Sequence, residues 1–560
     1  MIDFDTPPIN AVIEILLRGL KIDKLSEVKP RVLKSDDEKF LRTRRNAEVF
    51  SPSRVVKFMV DALDDGGQID SRWLEIACGE APFITNRYDA ETGKDIPINQ
   101  RVGILDRKLR NAKNLDEAKR AVQSVYGYDI QSDSLLIARA NVLLSFVEYV
   151  ENFSDSDLAE VAEVIAKNFW LMDALNIPSA QFNLFDDVPL CKITDWLTGE
   201  EYFFGGNSMK KFDFVIGNPP YQDETSGDNK NYAPPVYNVL MEQAHKVGEK
   251  VALITPARFL FDAGGTPKDF NKKMLNDPHL KVLDYAPKAD KYFKGVDIEG
   301  GVAITLRDET KNFGAIGTFI TFDELRHVCE KVTTHQDFVE FGKIISGRTP
   351  YLFTDKLHEE NLDAKTKLSD GHLYDISSNA FVALPEIFSL NKPNDANNFF
   401  RVLGRRNNER AYLWIQKKYV RGRVNEYIGK WKIFLSRANG ASGKLGDEAA
   451  RIISKPVIGE PSDVCTDTFI VVGAFDTRAE ADACFKYVKS KFARALLGIL
   501  KITQDNTADK WAKVPLQDFT AASDIKWTVS IADIDKQLYK KYGLDDAEIN
   551  FVETHVKAME

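Results

Sequence analysis

The chain has 560 residues, more than one hydrophobic core holds, so two or three domains are expected. A hydrophobic fraction of 44% with 28% charged residues excludes a largely disordered chain. The net charge of −9 gives the molecule as a whole no electrostatic pull on nucleic acid, so any such pull has to be local.

Five cysteines, odd in number and never in a CxxC pair, argue against a disulfide framework and a zinc site, and no metal is expected. The first residues lack the basic start of a signal peptide. No apolar stretch reaches the roughly 18 residues of a membrane span. A cytoplasmic protein is the expectation.

In chain order, residues 9–35 read as helix, with Ile13, Leu16, Leu17 and Leu20 at three-to-four spacing, and KSDDEKFLRTRR reads as an exposed connector. Residues 1–45 are thus expected to form an N-terminal helical appendage. From about 46 the pattern becomes short apolar runs that end in Gly, Asn or Pro and alternate with helical stretches, the rhythm of an α/β fold with a mostly parallel sheet. WLEIA, VYGYDI, FDFVIGN, VALIT and GVAITL are the expected strands. A basic insertion at about 85–120 exceeds what a minimal nucleotide-binding fold needs. After about 335 the rhythm is lost, and FGKIISGRTPYLF reads as the entrance to a further domain. The division expected is 46–335 for a catalytic domain and 336–560 for an α+β domain.

The first strand carries Glu75 and runs into Ala77, Cys78 and Gly79, small residues that let a ligand approach backbone at a strand's carboxyl end. A dinucleotide would need GxGxxG to seat its phosphates, and Gly79 stands alone. S-adenosylmethionine has no phosphate, and Glu75 could face its ammonium group. Asp129, ending the second strand beside Ile130, is placed for ribose hydroxyls. Asp187, in FNLFDD, could accept from the cofactor's adenine amine.

FDFVIG leads into Asn218, Pro219, Pro220 and Tyr221. An exocyclic amine conjugated to a ring is a poor nucleophile. The Asn218 side-chain oxygen and the Pro219 carbonyl can accept both of its hydrogens and favour a pyramidal nitrogen. The prolines stiffen the turn, and Tyr221 offers a face for a base drawn out of its duplex. Downstream, residues 401–437 hold eleven Lys and Arg against two Glu, a local +9. Arg405, Arg406, Lys417, Lys418, Arg421 and Arg423, interleaved with Tyr and Trp, suit DNA phosphates and bases.

The order of these parts resembles that of the gamma-class adenine-specific (N6) DNA methyltransferases of bacterial type II restriction-modification systems. NAEVFSPSR, with Phe50 and Pro52, is similar to that family's entry motif. EIACGEAPF resembles its glycine motif, with Ala81 for a second glycine and Ile76 for a proline. Asn218–Tyr221 matches its NPPY loop. The resemblance implies a Rossmann-like methyltransferase domain followed by a target-recognition domain, S-adenosyl-L-methionine as cofactor, and double-stranded DNA as partner. It also implies flipping of the target adenine, a monomer, and in some systems a cognate endonuclease. Phe313 or Phe319 is a candidate second stacking aromatic, Arg258 and Phe259 a candidate pocket wall, and Gln504, Asn506 and Lys510 candidate DNA contacts. A fused endonuclease, methylation of RNA or of a protein amide, and a catalytically silent DNA-binding subunit remain open alternatives.

Overall fold

In the computed structural model, residues 9–46, 49, 51–176, 191–206, 208–222, 234–262, 265–293, 298, 300–423, 425–438, 445–446, 448–501 and 504–559 are described. The first strand, β1 (Trp73–Ile76), is buried at every position, as a parallel strand covered on both faces must be. It pairs in parallel with β2 (Val125–Asp129) on one side, which pairs with β3 (Phe169–Leu171). A hairpin of β4 (Lys192–Asp195) and β5 (Glu200–Phe203) follows. The chain then crosses to the far side of β1 as β6 (Phe212–Gly217), where the Trp73 and Phe214 rings stack 4.3 Å apart between paired residues. Beyond β6 come β7 (Gly248–Pro256), β8 (Leu280–Ala286) and β9 (Val302–Asp308). The sheet order is β3-β2-β1-β6-β7-β9-β8, with β9 antiparallel to both neighbours. The strand order reverses at β1. The carboxyl ends of β1, β2 and β6 therefore frame the crevice where an open α/β sheet takes its ligand.

The expected strands are present, together with β3, β8 and the β4–β5 hairpin, which the sequence reading did not separate from their surroundings. The helix expected over 9–35 is shorter: α1 (Ile9–Leu17) ends before Gly19, whose φ is +75°. The buried Arg139 guanidinium donates to the Leu16 and Arg18 carbonyls at its end, and to those of Ala166 and Phe169. The expected connector is itself a helix, α2 (Asp36–Asn46). Its three leading acids complement the positive end of the helix dipole. Lys34 and Arg42 reach Asp133, and Arg42 also donates to Gln131 and Ser134. Helices α1 and α2 are thus packed against the first unit's other elements rather than appended to them.

Helix α3 (Ser53–Ala62) precedes β1, and the basic insertion supplies α4 (Ile104–Asn111) and α5 (Leu115–Gln123). Lys108 of α4 is fully buried and donates to the Ile69 and Ser71 carbonyls and to the Ser124 hydroxyl. Crossover helices α6 (Ser132–Tyr149), α7 (Asp155–Asn168), α8 (Tyr237–Val247) and α9 (Lys268–Asn276) complete the layers.

Contacts divide the chain into Met1–Phe319 and Ile320–Glu560. The division falls ahead of residue 335 because α10 (Asp323–Thr333) buries Leu325, Val328, Cys329 and Val332 in the second unit's core. FGKIISGRTPYLF therefore lies within that unit, not at its entrance. There, β10 (Tyr351–Phe353) precedes three short helices, α11 (Asp355–Glu360), α12 (Ala364–Lys367) and α13 (Ala380–Ala383). Strands β11 (Phe399–Arg406) and β12 (Glu409–Gln416) form a hairpin, and β13 (Val420–Gly422) pairs with β10. Strand β14 (Trp431–Ser436) lies between β15 (Val457–Gly459) and β17 (Phe469–Phe475), while β16 (Asp463–Cys465) joins β11. Helices α14 (Arg478–Lys489), α15 (Lys491–Leu500), α16 (Ile531–Lys541) and α17 (Asp546–His555) surround the second core.

Candidate active site

At the reversal point of the first sheet lies a cleft of about 830 Å³. Its floor is the turn that leaves β1. Ala77, Gly79 and Ala81 have φ of 45°, 54° and 58°, and two of these are non-glycine residues in the left-handed region. Such strain persists only where the surroundings fix it, and it concentrates at ligand sites. Here two carboxylates fix it. Glu75, 1% exposed, accepts from the Ile84 and Phe83 amides at 3.0 and 3.4 Å. Burial lifts its carboxyl well above the usual range, against those two bonds. Asp129 accepts from the Gly79 amide at 2.8 Å through one oxygen and from the Gln131 amide at 2.8 Å through the other.

The far wall is the loop after β6. Asn218 donates from Nδ2 to the Val49 carbonyl at 2.8 Å, which fixes the orientation of its amide. Its Oδ1 is buried and has no hydrogen-bond partner among the described residues, and the same holds for the hydroxyls of Ser51 and Tyr221. Burial pushes the Tyr221 hydroxyl far above its ordinary value, and the ring packs against the first core. Pro219 is buried and Pro220 lines the cleft.

The cleft gathers Glu75, Ala77, Gly79, Asp129, Ile130 and Asn218 from the expected set. Ile130 is 61% exposed, an apolar face open to a flat ring. Pro52 is buried as the residue before α3 and lies outside the lining, whereas its neighbours Val49 and Ser51 are part of it. Phe50 and Asp187 lie outside the described residues. Asp173, unrecognised in the sequence, joins the lining two residues past β3. The signal was available: FWLMD is an apolar run closed by an acid, the pattern that singled out Asp129.

Among the other candidates, Phe259 is buried in the first unit's core. Phe319 forms a triangle with Phe261 and Tyr285, with all three ring centroids 5.5 Å apart, and Phe313 lies under Lys281. Among the described residues no cluster of three or more His, Cys, Asp or Glu could hold a metal ion, and no helix is long and apolar enough to cross a membrane.

In the second unit the basic window splits into two groups. Arg401 forms a two-bond pair with Asp463, Lys418 meets Glu360 at 2.5 Å, and Arg423 donates to the Thr349 carbonyl and lies 3.4 Å from Asp375. Lys430 pairs with Asp476, and Lys432 is buried against three carbonyls. Arg405, Arg406, Lys417 and Arg421 form no ion pair among the described residues. Asn506 is buried and bonds the Arg437 and Ser436 carbonyls, Lys510 pairs with Asp509, and Gln504 is exposed.

Residues 123–293 match the family model of the Eco57I restriction-modification methylase. An uncharacterized adenine-specific methylase of Mycoplasma pneumoniae is 29% identical over 105 residues, 18% of this chain and 25% of that protein. Among solved structures, the EcoKI M protein of a type I restriction enzyme aligns with TM-score 0.29 and 14% identity over 48% of this chain and 47% of its own. The DrdV–DNA complex aligns with TM-score 0.37 and 12% identity over 86% and 59%. The chain thus spans a quarter of the curated relative and about half of the EcoKI M protein. The matched segment opens just before β2, holds the Asn218 loop and β7, and closes beyond β8, and over it the chain is similar to the Eco57I restriction-modification methylases.

Proposed function

We propose that the chain transfers the methyl group of S-adenosyl-L-methionine to the exocyclic N6 amine of an adenine flipped from double-stranded DNA, as the modification part of a restriction-modification system. The observation that carries this is the Asn218 amide: with Nδ2 tied to the Val49 carbonyl, the buried Oδ1 is left without a hydrogen-bond partner among the described residues. A buried acceptor of this kind is costly unless a ligand donor meets it. An adenine amine supplies that donor. The Asn218 oxygen and the Pro219 carbonyl draw on its two hydrogens and turn the nitrogen lone pair toward the methyl group.

The cleft suits the cofactor. It is apolar over Ile130, Met172 and Leu240, has room for a nucleoside, and has acids at the ends of three adjacent strands. Glu75 is assigned to the ammonium group, Asp129 to the ribose hydroxyls, and Asp173 to the amine of the cofactor's adenine, the part first given to Asp187. Phe50 and Pro52 belong to the entry segment whose Val49 and Ser51 line the cleft. The cofactor supplies an electrophilic methyl group, and the protein orients the acceptor nitrogen and excludes water. Tyr221 is assigned to stacking on the extruded base.

For DNA, Arg405, Arg406, Lys417 and Arg421 are the leading phosphate contacts, with Lys418 and Arg423 exchanging exposed ion pairs for phosphates at small cost. The reading is tested by expressing the chain in cells without adenine methylation and mapping N6-methyladenine across the genome. Methylated adenine in one sequence context is expected. An unmodified genome, with methyl transfer instead to ribosomal RNA or a release factor, overturns it.

A further inference from the structure

The second unit holds a cleft of about 1330 Å³, larger than the one beside Asn218. Arg405, Arg410, Arg437, Arg451 and Lys455 line it, no carboxylate does, and none of the five forms an ion pair among the described residues. Two of the five, Arg451 and Lys455, lie outside the basic window read from the sequence.

The fold holds these cations together against their repulsion. Arg405 and Arg410 are cross-strand partners in the β11–β12 hairpin, closed by Asn407 and Asn408 with φ of 51° and 63°. Like charges directly opposite on a strand pair are destabilising unless an anion lies between them. The turn is the tight two-residue kind that fixes register, so the pair cannot slip apart. Burial and the neighbouring Arg405 both lower the proton affinity of Arg410, as an unneutralised pair requires. The hydroxyls of Ser436 and Ser454 lie 3.4 and 3.5 Å from Arg410. In the neighbouring segment of the lining, Arg451 precedes Ile452, a buried β-branched residue at φ 67°. That conformation is a strong outlier for isoleucine. The buried Arg494 holds it by donating to the Arg451 carbonyl at 3.0 Å.

We propose that this cleft grips the phosphodiester backbone of duplex DNA. Arg405 and Arg410 share one phosphate, Arg451 and Lys455 meet further phosphates of the backbone, and the serine hydroxyls donate to phosphate oxygens. This rests on the proposed action on DNA and adds the place where sequence-independent affinity resides. Cations without acid partners release counterions most fully, so the cleft governs the salt dependence of binding and not the choice of sequence.

The test uses the full chain and measures anisotropy of labelled duplexes, with and without the methylated site, over a series of salt concentrations. In the double variant Arg451→Gln/Lys455→Gln, two exposed side chains, the slope of log K against log salt should shrink by about 2. Affinity should fall equally on both duplexes, and cofactor binding should not change. Lys430→Gln, which removes a cation already paired with Asp476, should leave the slope as it was. Wild-type methylation of DNA with an unaltered slope in the double variant overturns the cleft and leaves the methyltransferase reading standing. Loss confined to the methylated duplex assigns the cleft to base reading and also overturns the proposal. A wild-type chain that neither binds nor methylates duplex DNA overturns both.

Discussion

Asn218 and Glu75 are both buried polar groups in one cleft, yet their chemistry is opposite. Asn218 keeps an acceptor unspent, so Asn218→Ala should cost at least about 10²-fold in methyl transfer, in the range of losing one oriented polar group around a reacting centre. Cofactor affinity should change little, and equilibrium dialysis beside single-turnover rates separates the two. Glu75 has spent its oxygens on the amides of Phe83 and Ile84, and burial still lifts its carboxyl. Above the ordinary carboxylate range and up to that raised value, the folded chain holds a proton the unfolded chain has lost. Stability therefore falls as pH rises through that window. Glu75→Gln removes the titration, and its melting temperature should decline less than that of wild type as pH rises above the ordinary carboxylate range. The same variant should bind the cofactor about 10-fold more weakly, the worth of one charge-assisted contact. Tighter binding would remove Glu75 from the ammonium site.

Among the elements, α4 gives the basic insertion a purpose. Its Lys108 is driven down to about 7 by burial and bonds the residues just before β1 and the end of α5. Between about 7 and the ordinary lysine value the unfolded chain binds more protons, so this contribution to stability grows as pH rises through that interval. Lys108→Met should flatten the rise above pH 7 and leave buried carbonyls unsatisfied, at a cost of about 1–3 kcal/mol by chemical denaturation. The elements differ in how plainly the sequence shows them. β1, β2, β6 and β7 announce themselves because strands buried on both faces are unbroken apolar runs. In β8, LKVLDYA, the interior positions are only half-buried, and its mixed pattern follows from its place at the sheet edge. Helix α2 hid because its charges, which stabilise a helix through caps and ion pairs, are those of an exposed linker. Asn218 and its loop could be read from chemistry alone. The cation cleft could not, because a register between β11 and β12 and a turn near residue 452 bring its members together across roughly fifty residues.

For the whole molecule, each unit has cores of its own: Val12 to Leu306 in the first, Leu325 to Val556 in the second. A fragment of residues 320–560 should therefore unfold cooperatively, with a stability in the usual domain range of about 5–15 kcal/mol, and bind duplex DNA without binding the cofactor. Noncooperative melting would show that its core needs the remainder of the chain. In the first unit, Arg42 of α2 is bonded to Gln131 and Ser134, and both residues line the cleft. Whatever tightens that lining also tightens the hold on α2, and by reciprocity whatever frays α2 weakens the ligand. Occupancy of the cleft is thus legible at a distance from it: amide hydrogens of residues 36–46 should exchange with solvent more slowly when the cofactor is bound, and breaking the Arg42 contacts should uncouple that protection from binding.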